Sequence, residues 1–145
     1  MKSLLLVVAM ASLVAIAGGT ARAQVVDPII ADIPFSFTVR QNTMPAGHYT
    51  IKRFGSNSEV MELIGDDYRH PIIFLTESAQ VSNRPKRAEL IFDRVGDQYF
   101  LSEVFEEGNS VGVAVPKSRV ERRLEKEGAM THVTISAQNA LGEKN

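Results

Sequence analysis

The chain has 145 residues, no cysteine, and 16 Lys and Arg against 17 Asp and Glu, for a formal charge of −1. The missing thiols exclude disulfides, cysteine catalysis, cysteine metal sites and a lipid-bearing N-terminal cysteine. The missing basic excess argues against nucleic acid as a partner, and the length fits one domain.

Lys2 opens the chain, residues 4–17 carry no charge, and Gly18-Gly19-Thr20-Ala21-Arg22-Ala23 ends in a small-x-small pattern. A charged start, an apolar run and an Ala-Arg-Ala cleavage site form a secretory signal peptide over residues 1–23. The apolar run falls short of the roughly 20 residues a spanning helix needs, and no stop-transfer charges follow it, so the processed chain is expected not to span a membrane. No arginine pair precedes the run, which points to export in an unfolded state and to no cofactor loaded beforehand. The expected working protein is residues 24–145, periplasmic or extracellular. Fourteen basic against 17 acidic residues leave it at −3, because Lys2 and Arg22 depart with the leader.

Within it, Ile33, Phe35, Phe37 and Val39 alternate with polar residues and Pro34. This is strand periodicity with one apolar face, and the proline marks a strand start or an edge. Met44-Pro45-Ala46-Gly47 turns the chain into a second strand over residues 49–53. Turns at Gly55-Ser56-Asn57-Ser58 and Gly65-Asp66-Asp67 bound a third, residues 59–64, and lead to a fourth, residues 71–78. There Ile72-Ile73-Phe74-Leu75 reads as buried on both faces. A polar break at 82–87 precedes a hairpin of residues 88–95 and 98–105 about Gly96-Asp97. Residues 111–115 follow, valines on one face and small residues on the other. An eighth strand is expected over 131–136.

Ser118-Arg119-Val120-Glu121 has the form of a capping box, so a helix is expected over residues 118–127, with Gly128 placed for a left-handed C-terminal cap. Val120 and Leu124 supply its narrow apolar stripe. Short strands at regular spacing with no intervening helices predict an all-β fold: an antiparallel meander of seven to eight strands forming a small barrel or sandwich, with one short C-terminal surface helix. The domain runs over residues 24–136, and 137–145 is expected to be a frayed tail.

Chemistry-bearing patterns are sparse. His48, His70 and His132 stand in no metal-ligand spacing, and the acidic pairs Asp66-Asp67 and Glu106-Glu107 lack the pattern of a calcium loop, so no metal or cofactor is expected. No serine stands in a nucleophile elbow. Asp93 and Glu103 are expected to face each other on the solvent side of the 88–105 hairpin, and no enzymatic activity is assigned. Lys117, Arg119, Arg122, Arg123 and Lys126 form a basic set about the helix, a candidate docking surface for an anionic polymer, with Arg122–Glu125 and Arg123–Glu127 as expected pairs. Phe35, Phe37, Ile51, Phe92 and Leu101 are the expected interior set, which only a hollow barrel would turn into a ligand lining.

Four blocks in order, Ile33-Pro34-Phe35-x-Phe37, Met44-Pro45-Ala46-Gly47-x-Tyr49-x-Ile51, residues 96–104 (GDQYFLSEV) and Pro116-Lys117-Ser118-Arg119-x-Glu121-Arg122, resemble a family of small exported bacterial β proteins of unknown function. The resemblance implies export and a β domain, and it carries no catalytic or binding residue with it. The sequence thus leads to an exported non-catalytic β domain that binds a protein partner or an envelope polymer. The alternative is a small barrel carrying an apolar ligand in the manner of a lipocalin. An outer-membrane barrel and an enzyme rank below both, since the strands are short, Trp is absent and the chain ends on polar residues.

Overall fold

The computed structural model describes residues 28–140 except 58, 68 and 69. The leader expected over 1–23 and the end of the expected tail, 141–145, lie outside the described residues. Among the described residues eleven strands are present: β1 Ile29–Ile33, β2 Phe37–Val39, β3 Asn42–Met44, β4 Gly47–Arg53, β5 Val60–Gly65, β6 Ile72–Leu75, β7 Glu77–Gln80, β8 Ala88–Val95, β9 Gln98–Phe105, β10 Val111–Ala114 and β11 Met130–Asn139. One helix, α1 Arg119–Glu127, stands between the last two.

Period-two alternation builds β4, β5 and β8 where they are expected, and it also builds β1, over residues where, Ile33 apart, no strand is expected. Ile29, Ala31 and Ile33 on β1, Tyr49 and Ile51 on β4, Met61 and Leu63 on β5, and Ala88, Leu90 and Phe92 on β8 all turn to one interior. Neighbours run β9-β8-β11-β1-β4-β5-β6, all antiparallel. The chain then passes through Thr76 from β6 to β7, which pairs with β10, which returns to β9. Thr76 is buried at this corner, and its amide and hydroxyl both donate to the Glu59 carbonyl (2.7 and 3.0 Å). The result is a nearly closed barrel with a filled interior. Phe35 and Phe37 meet Phe92 edge-on (centroids 5.1 and 5.5 Å), Phe37 meets Tyr49 likewise, and the Tyr49 hydroxyl donates to the Pro45 carbonyl.

The extra strands have local causes. Residues 33–39 do not form one strand: the chain bends at Phe35, and Phe37 starts β2. Arg40 and Gln41 form a two-residue turn into β3, with Arg40 at φ 58° although it carries a side chain. The β2–β3 hairpin lies against β9 through the sheet's one parallel pairing, Thr38 with Phe100. Residues 71–78 break at Thr76 into β6 and β7, and β6 is buried on one face, not both: Phe74 points in, while Ile73 and Leu75 are 48% and 65% exposed. Ala137, Ala88, Gln138 and Ile30 pair at the far end of β11, so residues 137–139 belong to the barrel and not to a frayed tail. Gly112 is required by close approach: a Cβ there would stand 2.4 Å from the Val104 carbonyl oxygen and 2.5 Å from the Phe105 ring.

Candidate functional site

A bulge on β9 lies beside the part of the surface that carries most of the chemistry. Ile91 pairs with Glu103 and Phe92 with Leu101, which leaves Ser102 as an extra residue. Phe92 and Leu101 point into the barrel. Asp93 pairs with Phe100 on the outer face, and His132 of β11 stands opposite Asp93 on its other side. Asp93 therefore does not face Glu103, and it is not on the solvent side: its exposure is 1%. Lys117 and α1 cover it.

The helix begins as its sequence dictates. The Glu121 amide donates to Ser118 Oγ (3.1 Å) and the Ser118 amide to Glu121 Oε2 (3.3 Å), both halves of a capping box. It ends differently, since Gly128 is extended (φ −147°) while its amide still donates to the Leu124 carbonyl. The expected apolar stripe is not what seats it either. Val120 is 47% exposed, Leu124 is half-buried, and the buried residue of the helix is Glu121, at 5%. Burial, with the charges of Asp93 and Glu125 adding to it, raises the Glu121 pKa to about 7 against the pull of its Ser118 hydrogen bond and Lys117.

Lys117 closes this cluster. Its ammonium lies 3.1 Å from Asp93 Oδ2, bonds Glu125 and touches the Met130 sulfur at 3.5 Å. Burial opposes its charge, yet the hydrogen bonds to Glu125 and Asp93 hold its pKa above the ordinary lysine value. Asp93 Oδ1 takes the remaining contact, His132 Nδ1 at 2.9 Å. Glu125 is thus held by Lys117, and neither expected helical pair, Arg122–Glu125 or Arg123–Glu127, is formed among the described residues.

Beside the cluster, a cleft of about 600 Å³ opens between α1, the β2–β3 hairpin and the start of β9. Thr38, Arg40, Gln41, Thr43, Gln98 and Phe100 form one side, and Lys117 to Val120 with Arg122 form the other. Among the described residues no carboxylate lines it. The Arg40 guanidinium donates to the Pro116 carbonyl and that of Arg122 to the Lys117 carbonyl (2.9 Å), so backbone oxygens hold both in place without neutralising them. Arg119 completes a set of three guanidiniums with no carboxylate partner among the described residues. Hydroxyls and amides around them supply further donors.

Comparison with protein-family models, with curated proteins and with solved structures finds no match. The site is therefore read from its own geometry.

Of the basic set named from sequence, Arg119 and Arg122 line the cleft, Lys117 touches its edge but is turned to Asp93 and Glu125, and Arg123 and Lys126 are exposed away from it. Of the interior set, Phe37, Ile51, Phe92 and Leu101 are buried, while Phe35 is half-buried and stacks on Tyr99 at 3.9 Å. Arg40, Thr38, Thr43 and Gln98 carry no mark in the sequence of their place at this cleft. Nothing in a lone arginine between two short strands announces that a parallel pairing will bring it to the Pro116 carbonyl, 76 residues on and just before α1. Elsewhere, His48 Nδ1 meets Asp32 Oδ1 at 2.6 Å on the exposed face of the β1–β4 pair, and this hydrogen bond raises the His48 pKa. Among the described residues no three or more His, Asp or Glu side chains are grouped to hold a metal ion, and no helix is long and apolar enough to cross a membrane.

Proposed function

We propose that this chain is an exported, non-catalytic β domain that takes the anionic groups of an envelope polymer into the cleft beneath α1. The observation that carries the reading is three guanidiniums, Arg40, Arg119 and Arg122, around one concavity without a lining acid. A guanidinium presents a planar fork matched to carboxylate or phosphate oxygens, and pre-positioned arginines lose less freedom on binding than mobile ones. The chain is mildly acidic overall, so a local basic cleft favours an anionic group at that place and not over the whole surface. The signal-peptide pattern of residues 1–23 and the four resembling blocks support an extracytoplasmic location. The interior aromatics pack on one another, which favours the outer cleft over an apolar ligand held inside.

The test titrates residues 24–145 with alginate, with polyphosphate and with neutral dextran by calorimetry at low and moderate salt. Salt-sensitive binding to one or both polyanions and none to dextran is expected. The R119E/R122E variant should lose that binding while keeping its circular dichroism spectrum. Retention of an envelope protein alone, with no response to either polyanion, would replace the polymer with a protein partner. Mass spectrometry of the exported form should place its first residue at Gln24.

A further inference from the structure

We infer that α1 is a proton-operated latch: with Glu121 protonated the helix is fastened over β8, and with Glu121 ionised it loosens, carrying Arg119 and Arg122 with it. The geometry behind this is an imbalance of charge in a closed space. Facing Glu121 are Asp93 from β8, Glu125 from its own helix and Lys117 from the preceding linker, and Asp93 in turn holds His132 of β11. Three carboxylates thus share one ammonium, and both short contacts of that ammonium go to Asp93 and Glu125. Glu121 is left with backbone contact at Ser118 and no cation of its own within ion-pair distance. A buried acid so placed is stable when neutral and strained when charged.

Apart from Lys117, whose ammonium bridges Asp93 of β8 to Glu125 of α1, little else holds the helix. Its nine residues are too few to persist alone in water, Val120 faces solvent, and β8 is its principal strand contact. The sign follows directly. The Glu121 pKa stands at about 7 in the docked helix against 4.5 when free, so the docked form binds the proton more tightly. Docking is strengthened below pH 4.5 and progressively loses that support as pH rises to 7 and beyond. The link to ligand rests on the reading of the cleft given above, whereas the latch itself does not.

The experiment is amide hydrogen exchange on residues 24–145 at pH 5.5 and pH 8, expressed as protection factors to remove the intrinsic pH dependence. The wild type should lose about 25-fold protection over residues 119–127 between the two, and these residues should exchange faster than β8 and β11 at both pH values, which marks the opening as local. E121Q, which keeps both halves of the capping box, should show equal protection at both pH values. Equal protection in the wild type, or the same fall in E121Q, overturns the latch. Should E121Q not fold, the carboxyl carbon of Glu121 is titrated by NMR in the wild type and in E125Q. A wild-type midpoint near 7 that moves down in E125Q supports the latch, and one near 4.5 overturns it. Alginate and polyphosphate binding at both pH values separates the two readings. A pH-dependent helix that binds neither polyanion leaves the latch and removes the cleft, while binding with pH-independent protection does the reverse.

Discussion

Lys117 illustrates why a charge count along a helix misjudges what each charge does. Its side chain leaves the basic face and turns to Asp93, whose carboxylate has lost its water to α1 and needs a cation in its place. Removing one member of such a buried pair costs more than the pair contributes, because the survivor stays buried and charged. K117M should therefore lower stability by on the order of 3 kcal/mol in urea unfolding. Adding D93N should recover part of that loss in a double-mutant cycle, since the orphaned charge is then gone. Gly112 makes a purely steric counterpart. Its missing side chain lets β10 sit on the Phe105 ring, so G112A must push the strand outward, costing about 2 kcal/mol in the same measurement. Neither effect depends on a ligand.

At the scale of elements, the helix start is the most local structure in the molecule and the easiest to test. S118A deletes the acceptor of the Glu121 amide and unhooks the residue whose burial seats the helix. A loss of about 1 kcal/mol is expected in thermal unfolding, the ordinary value of an N-cap. Elements of this kind were legible in the sequence because their determinants lie within four residues of one another. The capping box, the Gly96-Asp97 hairpin and the alternation of β4, β5 and β8 all appear where the pattern puts them, whereas β1 forms over residues where, Ile33 apart, no strand is expected. What was not legible depends on distant partners. Arg40 takes the left-handed position of the two-residue β2–β3 turn without being glycine, and a carbonyl 76 residues away accepts its guanidinium. Phe74, Ile73 and Leu75 read as a doubly buried run, yet no layer covers the outer face of β6. Ser102 reads as an ordinary outward residue, yet it is the extra residue of a bulge on β9. The cleft shares this fate: Arg119 and Arg122 were named from sequence, while the hairpin that encloses them comes from the parallel contact of Thr38 with Phe100.

For the whole molecule, the barrel and its helix cover respond to pH as one thermodynamic system, and two groups set the direction. Glu121 rises from 4.5 to about 7 on folding, so the native state holds a proton that the unfolded chain releases across that interval. Stability therefore falls as pH climbs between these values. His48, raised by its hydrogen bond to Asp32, also binds its proton better when folded, so its contribution is complete below pH 6.5 and is lost as pH rises through its native value. The two slopes have the same sign. Lys117, raised at the alkaline end, leaves this window untouched. Urea unfolding of residues 24–145 should accordingly show a free energy about 2 kcal/mol lower at pH 8 than at pH 5.5 from Glu121 alone. E121Q should flatten most of the difference and H48N a smaller part. An unfolding free energy that rises over this range in the wild type would mean that the carboxyl under α1 is ionised and satisfied, and that the helix is held over β8 by attraction between charges and not by a retained proton.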